Sequence, residues 1–110
     1  SRGAKAGVTG MTRALAREWV RLKVNVNAVA FGFILTRMTE ANAKDGATVK
    51  IEGRDIRVGV SPEIIASHAQ RCALGRPGTT EEAAGAVYLF CTPESNYITG
   101  QTVAVSGTPQ

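Results

Sequence analysis

Apolar residues at Ala4, Val8, Met11, Leu15, Trp19 and Leu22 recur in steps of three and four. That period predicts a helix from about residue 2 to 22 with one apolar stripe. Gly7 and Gly10 weaken the helix locally, and their small size predicts close packing against another helix. Arg13, Arg17, Glu18 and Arg21 fall off the stripe and are expected in solvent. Residues 23–30 read Lys-Val-Asn-Val-Asn-Ala-Val-Ala, a β-prone run that predicts a strand, ended by Phe31-Gly32. A long helix followed by a buried strand is half of a βαβ unit.

Further along, residues 37–43 fit a short helical turn. Residues 48–52 and 55–60 alternate apolar and polar around Gly53-Arg54, which predicts a β-hairpin. Ser61-Pro62-Glu63 has the chemistry of a helix start: a capping hydroxyl, a proline in the first turn and an acid beside the positive end of the dipole. That helix is expected to end near residue 73, before Gly75-Arg76-Pro77-Gly78. Thr79 or Thr80 caps the next helix, with Glu81 and Glu82 in its first turn. Ala83, Ala84, Val87, Tyr88 and Cys91 make its apolar face, and Pro93 stops it. Residues 101–105 form the last strand. Three helices, two parallel-type strands and a hairpin describe an α/β chain that looks like the second half of a larger doubly wound domain. Two core strands alone would leave a thin sheet with both edges open.

At 110 residues the chain holds at most one domain, and 44% hydrophobic residues allow a packed core. No apolar run approaches the ~18 residues of a membrane span, and no basic-then-apolar leader is visible. The expected setting is cytoplasmic, with an organelle lumen such as the mitochondrial matrix or a peroxisome as the other option. The net charge of +4 is spread along the chain and aromatics make up only 5%, so nucleic-acid binding is not expected. The charge suits a phosphate-bearing ligand better. His68 is the single histidine, and Cys72 and Cys91 lack clip spacing, so neither a metal site nor a Ser-His-Asp triad is expected. Both thiols are expected to be buried and inert.

The candidate chemistry lies at the start. Residues 1 and 5 sit about 40° apart on a helix and face the same way, the spacing a proton donor beside a fixed cation would use. Lys5 supplies the cation, but position 1 is Ser, a poor acid.

Several segments together are specific. They are Lys5-Ala6-Gly7-Val8 with Leu15-Ala16-Arg17-Glu18, Val26-Asn27-Ala28-Val29-Ala30, and Gly32-Phe33-Ile34 with Thr36. Gly75-Arg76 with Gly78-Thr79, Glu81-Glu82-Ala83-Ala84 and Tyr97-Ile98-Thr99-Gly100-Gln101 complete the set. In this order and spacing the chain resembles the C-terminal half of a short-chain dehydrogenase/reductase, close to the 3-oxoacyl-[acyl-carrier-protein] reductase group. The resemblance covers nearly everything except the insertion around residues 44–60.

The resemblance implies a partial NAD(P)-binding Rossmann-like domain over residues 1–110, with a substrate lid at about 37–70. It implies hydride transfer between NAD or NADP and a small-molecule carbonyl or secondary alcohol. Lys5 would bind the nicotinamide ribose hydroxyls and lower the pKa of a neighbouring tyrosine, the general acid. Ser1 stands at that tyrosine's position, and an aliphatic hydroxyl is a poor replacement. A tyrosine just before Ser1 would be turned roughly 140° from Lys5. Gly32 would let the backbone approach the cofactor, Ile34 would offer backbone groups to the carboxamide, and Thr36 would contact the carboxamide or a phosphate. Phe31 replaces the family's usual proline and is expected to pack. Met38 and Ile64 are expected to pack too, with a substrate cleft as the other option. The family's glycine-rich phosphate turn has no counterpart in these residues.

The implied partnership is a homo-oligomer or association with a missing N-terminal half. Ala83, Ala84, Val87 and residues 103–105 would supply an interface. Two functions follow: an oxidoreductase present as a C-terminal piece inactive alone, or a truncated, non-catalytic interaction module.

Overall fold

The computed structural model describes residues 2–37, 48–51, 54–57 and 62–109. Helix α1 spans Arg2–Trp19 and tightens into a 3-10 turn at Val20–Leu22. Strand β1 is Ala28–Phe31, β2 is Thr48–Ile51 and β3 is Arg54–Arg57. Helices α2 (Pro62–Arg71) and α3 (Thr80–Leu89), a 3-10 turn at Pro93–Ser95 and β4 (Thr102–Val105) follow. The hairpin is present: β2 and β3 pair antiparallel, Thr48 opposite Arg57 and Ile51 opposite Arg54. The helical turn expected at 37–43 lies outside the described residues beyond Arg37, as do Ser1, Met38 and the Ser61 cap.

Two compact units divide the chain. The first comprises Ser1–Gly32 and Glu81–Val105, the second Phe33–Thr80 and Ser106–Gln110. In the first unit β1 and β4 pair in parallel, Ala28 opposite Thr102 through Phe31 opposite Val105. Ala28 N–H donates to Gln101 O (2.9 Å) and Gly32 N–H to Val105 O (3.0 Å).

The strand expected at 23–30 begins only at Ala28. Lys23 turns the chain in a left-handed conformation (φ 59°), its N–H bonded to Val20 O. Polar bonds then carry residues 25–27. Asn25 Nδ2 donates to Asn96 O (2.8 Å), Asn27 Nδ2 donates to Ile98 O (3.0 Å), and Gln101 N–H donates to Asn27 Oδ1 (3.1 Å). Val26 N–H donates to Thr99 Oγ1, and Gly100 N–H to Val26 O (2.7 Å). A parallel pair cannot be closed by a tight turn. These side chains supply an added clamp at the N-terminal ends of its strands.

The apolar stripe of α1 does not form the core of this unit. Thr12 and Ala16 are buried at 5% exposure each, while Val8, Met11, Trp19 and Leu22 are exposed. The inward face is a second face of small residues. Its size follows from close approach: a Cβ on Gly100 would lie 3.4 Å from the Ala16 Cβ. Thr12 can be buried because its hydroxyl donates to Val8 O (2.7 Å). Nothing lies within 4 Å of a Cβ built at Gly7 or Gly10, so the helix expected against them is not found among the described residues. Arg13, Arg17, Glu18 and Arg21 are exposed as expected.

Helix α3 shows the same inversion. Ala83 and Ala86 are half-buried, whereas Ala84, Val87, Tyr88 and Leu89 are exposed. Its start at Thr80 puts Thr79 in the capping position.

In the second unit the chain after β1 joins the turn after α2. Gly78 N–H donates to Phe33 O (3.0 Å) and Leu35 N–H to Gly78 O (2.8 Å), forming an isolated parallel bridge between Ile34 and Gly78. A Cβ at Gly78 would meet the Ile34 Cδ1 at 2.7 Å, so a larger residue there would require the end of the isoleucine side chain to turn aside. Phe33 stacks on His68 with ring centroids 4.7 Å apart.

Candidate functional site

In the first unit, Lys5 lies in the first turns of α1, where the helix passes β1. With Ala4, Val8 and Thr9 it faces residues 28–31 and Thr102 across a cleft of about 350 Å³. The lining is mostly apolar, and Lys5 is its only formal charge. The lysine is exposed and makes no ion pair among the described residues. Phe31 also lines this cleft at 44% exposure, which corrects the expectation that it packs. The cause is its place at the end of an edge strand with no described neighbour outside it. Gly32 follows directly, and its N–H is spent on Val105 O.

Ile34 and Thr36 belong to the second unit. The parallel bridge decides what Ile34 can do. Gly78 uses its own N–H and C=O on Phe33 and Leu35, the residues flanking Ile34. Successive peptide groups alternate in direction along an extended chain, so the N–H and C=O of Ile34 point away from Gly78. No described group bonds them. The result is a donor and an acceptor side by side on the backbone edge turned away from Gly78, flanked by the two bonds. A primary amide carries the complementary pair. Thr36 follows two residues later and is exposed. Ser1 lies outside the described residues, so its geometry toward Lys5 is not part of the site. Ile64 is exposed rather than packed.

Neither thiol is buried, against expectation. Cys91 is exposed just beyond α3, and Cys72 is half-buried in the turn after α2. Cys72 Sγ lies 3.4 Å from Ser106 O and from Gly107 O. The nearby Leu74 N–H acts most strongly on the thiol and lowers its pKa; burial opposes this, and the Thr108 hydroxyl with the Arg76 and Gly75 amides assists. The tail is anchored there too. Leu74 N–H donates to Gly107 O (3.1 Å) and Ala73 N–H to Thr108 Oγ1 (3.2 Å).

Sequence reasoning missed the Asn25–Asn27 clamp and the Cys72 anchor. The clamp had a signal: two asparagines alternating inside a β-prone run, where a buried strand would carry apolar residues. The anchor had none, since its partners are 34 to 36 positions apart. Among the described residues no group of three or more metal-ligating side chains forms, and no helix is long and apolar enough to cross a membrane.

Comparison with known proteins identifies the family. The family described as enoyl-(acyl carrier protein) reductase matches residues 2–107. The chain is 39% identical over 105 residues to the short-chain reductase protein NovJ of Streptomyces niveus, covering 94% of this chain and 36% of that one. It is 37% identical over 103 residues to the 3-oxoacyl-[acyl-carrier-protein] reductase FabG of Aquifex aeolicus, covering 94% and 34%. The crystal structure of a short-chain dehydrogenase from Bacillus anthracis superposes with a TM-score of 0.66 at 36% identity, over 96% of this chain and 34% of that one. The chain therefore spans about a third of the length of the relatives it matches.

Proposed function

Because the chain belongs to the short-chain dehydrogenase/reductase family, we propose that it carries the nicotinamide side of an NAD(P)-dependent site acting on a small carbonyl or secondary alcohol. The observation that carries this reading is the outward-facing N–H and C=O of Ile34, bracketed by the two bonds to Gly78. The donor set fits the nicotinamide carboxamide, which offers one acceptor and two donors. Lys5, at the mouth of an apolar cleft, would donate to the ribose hydroxyls. Thr36 would add a hydroxyl to the carboxamide or a phosphate. When bound, the cofactor supplies the hydride that is exchanged with the substrate carbon. The residues of this chain contribute position: each donor that fixes the ring restricts the face from which reaction occurs.

The proton belongs to a different group. In the family reading a phenol stands four residues before Lys5, and a cation beside it favours the phenolate and brings its pKa toward neutrality. Ser1 occupies that position. A serine hydroxyl titrates far above a phenol, so the same cation cannot make it a useful acid. These residues are therefore expected to bind without turning over, and the segment at 37–70 would serve as the substrate-facing lid.

Titration of the isotope-labelled chain with NADH and NADPH tests this. The Ile34 amide resonance should move and saturate, and Lys5→Met should weaken the saturation midpoint by about tenfold, the value of one lost charge-assisted hydrogen bond. An Ile34 amide that stays in place up to millimolar cofactor overturns the reading. So does NAD(P)H oxidation by this chain at ordinary enzyme rates with a panel of ketones, as regards the missing acid.

A further inference from the structure

In the second unit Phe33 is held at two points. Its carbonyl accepts from the Gly78 N–H (3.0 Å), and its ring stacks on His68 of α2 with centroids 4.7 Å apart and planes at 21°. Both side chains are half-buried, and that spacing is in the range of attractive offset ring pairs. The peptide after Phe33 carries the Phe33 C=O and the Ile34 N–H on opposite sides of one plane. A carbonyl aimed at Gly78 therefore aims the Ile34 N–H away from it. The next peptide repeats the pattern: Leu35 N–H donates to Gly78 O (2.8 Å), so the Ile34 C=O turns away as well. The Ile34–Gly78 bridge is isolated, and among the described residues no neighbouring ladder steadies it. The turn between α2 and Gly78 is fastened separately, through Leu74 N–H to Gly107 O (3.1 Å) and Ala73 N–H to Thr108 Oγ1 (3.2 Å).

We infer that His68 is a positioning residue for the Ile34 edge: its stack on Phe33 keeps the Phe33 carbonyl on Gly78, and peptide planarity passes that direction to the Ile34 N–H. With the ring held, the Phe33 Cα keeps its place and the carbonyl keeps its distance from the Gly78 N–H. With the ring free, the Cα can shift, the bond to Gly78 opens more often, and the donor on Ile34 loses its fixed direction. A small misplacement of such a donor is costly to any ligand that must meet donor and acceptor together. An imidazole suits this task because it is flat; an aliphatic side chain would fill the space without a plane to stack on. The chain's single histidine thus has a role outside acid–base chemistry. The inference deepens the cofactor reading and rests on it for what the edge binds, while the hold on the edge itself is measured without any ligand.

Hydrogen exchange in the isotope-labelled chain, followed by titration with NADH, tests the two claims separately. In His68→Ala, exchange at the Gly78 and Leu35 amides should accelerate about 3- to 10-fold, the worth of one aromatic pair. The Leu74 amide, bonded to the tail, should change less. His68→Phe keeps a flat ring and should retain the slow exchange, whereas His68→Leu should exchange as fast as the alanine variant. The NADH midpoint read at the Ile34 amide should weaken by the same factor in His68→Ala and return in His68→Phe. If the alanine variant fails to fold, the comparison of leucine with phenylalanine carries the test. Unaltered exchange at Gly78 and Leu35 in His68→Ala overturns the inference. So does a leucine variant as slow as the parent, which would leave His68 a filling role only, and so does an NADH midpoint that His68→Ala leaves in place. A parent chain that binds no NADH defeats the cofactor reading alone, and faster exchange in the alanine and leucine variants then still supports the hold of His68 on the edge.

Discussion

The two units hold themselves together by different means. In the first, side-chain amides reinforce the β1–β4 ladder. Asn25 and Asn27 reach the backbone at Asn96, Ile98 and Gln101, while the large apolar residues of α1 stay in solvent. In the second, backbone bonds and close glycine contacts stand beside the Ala73–Thr108 bond and the Phe33–His68 stack. Gly78 is seated under Ile34, and Gly107, at φ 66°, would bring a Cβ to 2.8 Å from Cys72 Sγ. A side-chain clamp loses individual bonds on mutation, and its free energy falls in steps. At Gly107 a Cβ would meet Cys72 Sγ and Leu74 Cδ1 (3.3 Å) from a left-handed backbone, so a substitution there is strained whatever the side chains do. The second unit should therefore be the more brittle.

The largest expected effect tests that difference directly. Gly107→Ala imposes a left-handed conformation on a residue with a Cβ and pushes it into Cys72 Sγ, at a cost of about 1–3 kcal/mol. Exchange at the Leu74 and Gly75 amides, bonded to Gly107 O and Cys72 O, should accelerate about 10-fold or more. Exchange at Ala28 and Gly32 in the first unit should change much less. Repeating the substitution in a Cys72→Ala background removes the contact and leaves the dihedral strain, so part of the loss should return. Equal loss in both backgrounds would assign the whole cost to the backbone.

The next effect is smaller and lies in the first unit. Asn27→Ala deletes the bonds to Ile98 O and from Gln101 N–H, and should cost about 1 kcal/mol, because both groups can turn to water. The urea midpoint followed by Trp19 fluorescence measures it. Asn27→Asp keeps the acceptor for Gln101 N–H but sets a carboxylate oxygen against Ile98 O, so it should be at least as destabilising as alanine. An aspartate variant as stable as the parent would show that the Ile98 bond contributes nothing and that the clamp works through Gln101 alone.

These two contrasts also show what was legible in the sequence. Helix α1, the hairpin, α2, α3 and β4 were all readable, because each is announced by local signals: a period, a cap, a proline, a turn. The faces of the helices were misread. Ala4, Val8, Met11 and Leu15 form a real stripe, but the inward side of α1 is Thr12 and Ala16, chosen by the close approach of Gly100 and not by hydrophobicity. A large apolar stripe signals that something covers it, and it cannot say that the covering element lies within the same 110 residues. Strand β1 was placed too early for a related reason. Asn25 and Asn27 have the alternation of a strand, yet they use side chains where a strand would use its ladder. For the candidate site, Lys5, Gly32, Ile34 and Thr36 were chosen through family resemblance. What the fold adds is the direction of the Ile34 peptide, which depends on a bridge to Gly78, 44 positions away, and no local pattern encodes it.

The smallest effect concerns pH. Leu74 N–H and its neighbours lower the Cys72 thiol from its ordinary value of 9.0, so the folded chain releases that proton at lower pH than the unfolded chain does. Between the two values the unfolded state binds more protons, and stability rises with pH there. The contribution is complete above the unfolded thiol's pKa and vanishes as pH falls through the folded one. Unfolding midpoints by circular dichroism between about pH 7 and 10 should show a shallow rise that Cys91→Ser retains and Cys72→Ser abolishes. Alkylation kinetics supply the same test without unfolding. In the Cys91→Ser chain, the iodoacetamide rate should reach half its alkaline plateau below the pH at which a free thiol does. A midpoint at or above the free thiol's would mean that the two carbonyls at 3.4 Å, Ser106 O and Gly107 O, outweigh the amide donors, and that the anchor holds the protonated thiol instead.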